Sequence, residues 1–176
     1  MNAAAARTPL AFVAVAALFA GALASAPTNA RASSGTDAVV AQLDQFNAAQ
    51  LIDSYKVKYA VDGDNVAVAA VLTGMPGPNS LDIPAGVHVD WNLAAGASGL
   101  VFTGGGSVTF KANNYTGPKA GAAFVDSTGV SLKFDGWNIS CGSSAAGTTA
   151  VKATGANVEW AAGTATCYDG IVVTGG

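Results

Sequence analysis

From residue 81 onward one short pattern of polar and apolar positions recurs. His88-Val89-Asp90-Trp91, Ser107-Val108-Thr109-Phe110, Ser131-Leu132-Lys133-Phe134 and Asn157-Val158-Glu159-Trp160 each run polar, aliphatic, polar, aromatic. Aliphatic and aromatic positions are two apart, so in an extended chain they share one face and the polar residues share the other. A Gly-bearing turn precedes each: Pro84-Ala85-Gly86, Thr103-Gly104-Gly105, Thr128-Gly129 and Thr154-Gly155. Ahead of the turns lie further short apolar stretches at 81–83, 100–102, 123–125 and 149–151. The unit is strand, turn, strand, with 19, 24 and 26 residues between successive aromatics. Strands held in register while loops vary in length predict an all-β chain wound as a parallel solenoid of about four to five coils. Its hand is expected to be right, following the general preference of parallel crossovers.

In such a coil Val89, Val108, Leu132 and Val158 stack in one inner column, and Trp91, Phe110, Phe134 and Trp160 in another. Asp90, Thr109, Lys133 and Glu159 face water, with Lys133 and Glu159 neighbours on adjacent strands. The same aromatic stripe turned outward would be a sugar-stacking platform. Alternation with charged residues demands one dry face and favours the inward reading. A β-sandwich is the alternative fold, since many short strands with Gly turns also fit it; it would place consecutive strands antiparallel.

The chain before the repeat has a different pattern. Residues 33–56 predict a helix, with Thr36 as cap, Asp37 in the first turn, and Val39, Val40, Leu43, Phe46 and Leu51 roughly on one face. Such a helix would cover the exposed end of the stack; the alternative is a flexible leader. Val57, Tyr59 and Val61 then alternate, Asp62-Gly63-Asp64-Asn65 is a turn cluster, and Val66, Val68 and Leu72 resume an extended pattern, giving a hairpin or an irregular first coil. Met75-Pro76-Gly77-Pro78-Asn79 is a loop, because two prolines remove two backbone donors. At the other end, Ile171-Val172-Val173-Thr174-Gly175-Gly176 matches Leu100-Val101-Phe102-Thr103-Gly104-Gly105. A further coil is opened there and not completed. The expectation is a fragment of a longer protein; the alternative is another chain covering an edge that would otherwise template pairing, including self-association.

Composition sharpens this picture. Charged residues are 11% of the 176 and Gly numbers 22, which suits an all-β domain with many turns. Arg7 followed by the apolar stretch 10–24 reads as a secretory signal occupying residues 1–32, with small-residue cleavage sites ending at Ala26, Ala30 and Ala32, the last two favoured. Fifteen apolar residues fall short of the roughly 20 that span a bilayer. Residues 57–176 then form the solenoid domain of a secreted, periplasmic or extracellular protein. The formal charge of -3 becomes about -5 once Arg7 and Arg31 are removed; with no basic run, nucleic acid is a poor partner. Cys141 and Cys167 close two 14-residue segments, 128–141 and 154–167, at equivalent places in adjacent coils. Strand spacing would bring them about 4.8 Å apart, within disulfide range, and export favours oxidation. With His88 the one histidine and far away, no metal set forms around the cysteines, and no cofactor is expected.

Ile83-Pro84-Ala85-Gly86 followed by an alternating strand, together with the "apolar strand, Gly turn, apolar strand" units at 99–106, 123–134 and 170–176, resembles the coils of right-handed parallel β-helix proteins of the pectate-lyase-like superfamily. The resemblance covers about residues 80–176 and implies fold more than function. Enzymes of that group cut acidic polysaccharides with clustered acids, plus a basic residue in the lyases. Here Asp82, Asp90, Asp126, Asp135, Glu159 and Asp169 are scattered, arginine is absent after Arg31, and Lys111, Lys119, Lys133 and Lys152 are dispersed. No catalytic residue carries over. The expectation is therefore a non-catalytic exported module, associated with a cell surface, adhesion or carbohydrate, with Tyr115, Trp137 and Tyr168 on loops as possible surface contacts. The alternative is a fragment of a polysaccharide lyase or glycoside hydrolase. Ice binding needs a flat Thr array, and Thr164-Ala165-Thr166 alone fits. Asn114-Tyr115-Thr116 and Asn138-Ile139-Ser140 match the glycosylation pattern, which matters in a eukaryotic host.

Overall fold

The computed structural model describes residues 33–72, 77–93, 99–116, 123–141 and 148–175, and for 112–116 the description is of the backbone. The expected export signal and residues 75 and 76 of the expected loop lie outside these residues. Helix α1 (Ser34–Ala49) leads into a short 3-10 turn (Asp53–Tyr55). Eleven strands follow among the described residues: β1 (Val57–Asp62), β2 (Asn65–Ala70), β3 (Ser80–Ile83), β4 (His88–Asn92), β5 (Leu100–Gly104), β6 (Ser107–Thr116), β7 (Ala123–Thr128), β8 (Ser131–Ser140), β9 (Thr149–Thr154), β10 (Val158–Thr166) and β11 (Ile171–Thr174). They are shared between two sheets, ordered β1-β2-β4-β6-β8-β10 and β3-β5-β7-β9-β11. From β2 on, the chain alternates between the sheets, and every pairing except β1–β2 is parallel. This is a β-solenoid of about four turns, not a sandwich.

Parallel register stacks like on like. In the first sheet Val66, Val89, Val108, Leu132 and Val158 form one column, and Val68, Trp91, Phe110, Phe134 and Trp160 the next. Phe110 lies flat on Phe134 at 4.6 Å between ring centroids, and Phe134 on Trp160 at 4.5 Å. These distances match the separation of adjacent strands, so the backbone ladder itself sets the ring stack. From the second sheet, Phe102 presents its ring edge-on to Trp91 at 5.4 Å and closes the core across the coil.

Strict alternation fails at one place in β8 and at one place in β10. In β8 the buried residues run Leu132, Phe134, then Trp137, Ile139. The phase slips at Gly136, whose φ is 86°. In β10 the register to β8 shifts around Ala162 and Gly163, where φ is 109°. A side chain at Gly163 would collide with the Trp137 carbonyl oxygen. The strand turns a corner at these glycines, and inward-facing positions resume on a new face.

Helix α1 is shorter than the 33–56 expected, and its cap is Ser33, not Thr36. Ser33 Oγ accepts from the Thr36 N–H at 3.3 Å while Thr36 Oγ1 accepts from the Ser33 N–H at 3.0 Å, a reciprocal box of the kind Ser and Glu usually form. Val39 and Leu43 are buried, and Phe46 packs against the core. Leu51, by contrast, is fully exposed. At about 100° per residue it falls about 80° off the line through Leu43, so no burial extends the helix that far.

The end of the stack is closed by two side-chain amides of α1. Gln42 Nε2 donates to the Asp82 carbonyl at 2.8 Å, and Gln42 Oε1 accepts from the Asp82 N–H at 2.8 Å. Asn47 does the same for Val57, at 3.0 and 2.8 Å. Each amide stands in for the next strand's peptide group along an outer edge, Gln42 on β3 and Asn47 on β1. Gln42→Ala and Asn47→Ala should each lower stability by about 1 kcal/mol in urea denaturation, and Gln42→Glu, which keeps the acceptor but loses the donor, should fall with them.

Candidate functional site

The outer face of the first sheet carries the largest set of interacting polar side chains among the described residues. Alternation puts Asn65, His88, Ser107 and Ser131 in one outward column, and Ala67, Asp90, Thr109, Lys133 and Glu159 in the next, although Thr109, expected to face water, is buried there. Asp90 is the hub. Its Oδ1 lies 3.5 Å from His88 Nε2 and 3.4 Å from Lys111 Nζ, and its Oδ2 accepts from Asn65 Nδ2 at 3.4 Å. His88 Nδ1 and Ser107 Oγ are 2.8 Å apart. Farther along, Lys133 Nζ meets Glu159 Oε1 at 2.7 Å, and this bond holds the lysine pKa above its ordinary value. His88 and Asp90 side chains remain about a third exposed, at 37% and 28%.

Ser107, His88 and Asp90 thus form a row, with a hydrogen bond between Ser107 and His88 and a 3.5 Å contact between His88 and Asp90. Its chemistry is limited by the sheet beneath it. The Ser107 N–H is committed to the Val87 carbonyl at 3.0 Å, and the Ser131 N–H to the Gly106 carbonyl at 3.1 Å. Acyl transfer needs free backbone donors where an oxyanion would form, and the ladder consumes the amides flanking Ser107. What the row can do is present fixed donors and acceptors to a ligand lying on the sheet. No group of three or more metal-ligating side chains occurs among the described residues.

The second sheet has an ordered outer column of its own. Asp82, Thr103, Thr128, Thr154 and Thr174 are in register on five successive strands, and the four threonines are exposed. Thr103 Oγ1 donates to Asp82 Oδ1 at 2.8 Å. The signal for this column was the Thr that precedes Gly in successive turns. A second pair of columns follows the Gly136 and Gly163 corner, where Asn114, Asn138 and Thr164 are in register, as are Thr116, Ser140 and Thr166. Thr164 donates through both its N–H and Oγ1 to Asn138 Oδ1, each at 3.0 Å.

Residues singled out from the pattern fall as follows. Val89, Trp91, Val108, Phe110, Leu132 and Phe134 are buried. Val158 and Trp160 are half-buried, because β10 is the last strand of its sheet among the described residues. Cys141 and Cys167 form a disulfide with Cα atoms 5.0 Å apart. Trp137 is not a surface residue: it is 1% exposed and packs at 4.6 Å on Phe110 and 5.9 Å on Phe134. The phase slip at Gly136 is what turns it inward. Tyr115 belongs to β6 rather than a loop, with its backbone in register with Ile139, and its side chain lies outside the described atoms. Tyr168 is 59% exposed. The six acids stay apart: Asp82 and Asp126 face outward from the second sheet, Asp90, Asp135 and Glu159 lie along the first, and Asp169 sits by Thr149.

The fold and these faces define a β-solenoid with polar outer walls. No known family, curated protein or solved structure matches the chain.

Proposed function

We propose that the protein is an exported, non-catalytic module of the right-handed parallel β-helix type that binds carbohydrate at a cell surface or in an extracellular matrix. The observation that carries this reading is the outer face of the first sheet. Asn65, His88, Asp90, Ser107 and Lys111 hold one another in place on a wall whose backbone cannot shift without breaking the stack beneath. Ordered hydroxyl, amide and charged groups repeating at strand spacing suit a ligand with repeated hydroxyls. The apolar stretch 10–24 and the disulfide support export.

The test is a pull-down of secreted protein on insoluble polysaccharides and on cells. Binding to at least one is expected. Asp90→Ala, which releases His88, Lys111 and Asn65 together, should weaken that binding about tenfold while circular dichroism stays unchanged. Failure to bind any of them, or binding indifferent to Asp90 and Lys111 substitution, would refute the reading. The alternative, part of a β-helix lyase or hydrolase, requires grouped acids, and the scattered placement of Asp82, Asp90, Asp126, Asp135, Glu159 and Asp169 weighs against it. Turnover of a pectin-like substrate by the same preparation would reverse that judgement.

A further inference from the structure

The wall around Asp90 is also where the first sheet gathers its charge. Alternation turns Lys58 and Asp62 of β1 outward, beside Ala69 and Asn65 of β2. Lys111 of β6 and Asp135 of β8 are in register, and both are exposed. With Asp90, Lys133 and Glu159, this face holds four carboxylates against three ammonium groups. The chain as a whole is negative too, at -3.

Lys111 and Lys133 are already engaged. Lys111 Nζ reaches back to Asp90 Oδ1 at 3.4 Å, and Lys133 Nζ reaches forward to Glu159 Oε1 at 2.7 Å. Asp135 adds its negative field at Lys133. Exposed ion pairs are individually weak, so an arriving anion can part them. It then meets the released carboxylate, with Asp135 close by. Firm capture of a uronate or sulfate needs a cation without a rival, best an arginine fork, and arginine is absent after Arg31. Charges within about 10 Å act together at ordinary ionic strength, so the wall as a whole repels a polyanion. The uncharged polar groups, by contrast, keep a column of their own. Asn65, Ser107 and Ser131 stand in register with His88 on four successive strands, about 4.8 Å apart, and each is partly exposed. Amide and hydroxyl groups both donate and accept, which is what a row of sugar hydroxyls requires.

We propose that this wall selects an uncharged polysaccharide, lying along the solenoid axis over the Asn65, His88, Ser107 and Ser131 column, and that Asp135 and Glu159 turn acidic chains away. The selectivity presupposes the carbohydrate site proposed above. It is opposite to that of the enzymes the repeat resembles, which cut acidic polysaccharides.

The test sets the secreted full chain against cellulose, chitin and β-1,3-glucan as uncharged matrices, bead-coupled polygalacturonate as an acidic one, and chitosan as a basic one. Retention is expected on at least one uncharged matrix. Raising sodium chloride from about 0.05 to about 0.5 M should change it less than about twofold, because no net charge is exchanged. Ser131→Ala, two strands from Asp90, should weaken that retention about fivefold; no effect would overturn the placement along the column. Asp135→Asn combined with Glu159→Gln removes two exposed acids and frees Lys133. The double variant should keep its uncharged ligand and bind polygalacturonate at least about tenfold better than the parent, a gain that salt abolishes. A double variant that gains nothing would overturn the role given to the two acids. Salt-sensitive retention of the parent on polygalacturonate, or retention on chitosan alone, would overturn the selectivity and leave a carbohydrate site standing. The parent's matrix and salt comparison decides this even if the double variant does not fold. An empty panel would defeat the carbohydrate site itself, and the selectivity with it.

Discussion

Phe110→Ala is expected to lower stability by about 4 kcal/mol, read as a lower urea midpoint with the slope unchanged. Phe110 is fully buried at the centre of the aromatic column. Its ring stacks on Phe134, meets Phe102 at 5.7 Å and packs on Trp137 at 4.6 Å, so truncation removes ring contacts in three directions. The strands on either side are pinned by ladder bonds and cannot collapse into the space, which places the site near the upper end of cavity costs. Against a total of roughly 5–15 kcal/mol for a domain, this is a large fraction. Trp160→Ala, at the half-buried end of the same column, should cost about half as much, and equal losses at the two sites would mean that the column does not end at Trp160.

Replacing Cys141 and Cys167 together by Ala should remove about 3 kcal/mol. The bridge closes a span of 26 residues, which limits the unfolded ensemble by about that amount on a chain-entropy account. The effect should also be local. A solenoid coil contacts its neighbours alone, so the coil tied down from one side frays first. In hydrogen exchange, amides of β10 and β11 should lose protection while those of β4 and β6 keep it. Uniform loss across all coils would show that the stack unfolds as one unit. The two substitutions together report how far cooperativity extends along the axis.

Much of the architecture was legible because a parallel coil repeats itself. Four tetrapeptides with one order of polar, aliphatic and aromatic residues specify a strand with one dry face. Equal spacing from aromatic to cysteine, in the segments ending at Cys141 and Cys167, then places both cysteines on the same rung position. Register follows from such patterns because a slip by one residue would turn Val108 and Phe110 out and Thr109 and Lys111 in. The hairpin at β1 and β2 was legible as one of two options. The structure joins the two, since β1 and β2 pair antiparallel while Val66 and Val68 stack beneath Val89 and Trp91 as the first rung.

What alternation could not show is where alternation stops. Counting by twos from Phe134 puts Trp137 outside. The positive φ of Gly136 advances the phase by one, and Trp137 becomes the ring that joins Phe110, Phe124 and Phe134. A glycine between two strands reads as a turn or as a bend with equal ease in a linear sequence. The helix end shows the same limit. Leu51 is apolar enough to extend α1, yet it has no partner to bury against, whereas Asn47, polar and unremarkable by pattern, is held by the edge of β1.

The polar row at Asp90 came from tertiary structure as well. His88 and Asp90 are neighbours in the chain, and their sharing of one face follows from the strand alone. Asn65, Ser107 and Lys111 lie 25, 17 and 21 residues from Asp90, and loop lengths that differ from coil to coil hide which of them stack beside it. The sequence by itself determined the dry face, the rung composition and the position of the disulfide, because each depends on spacing within a strand. Tertiary structure decided the corners, the edge-capping amides and the side chains gathered around Asp90, because those depend on how many residues each loop spends between rungs.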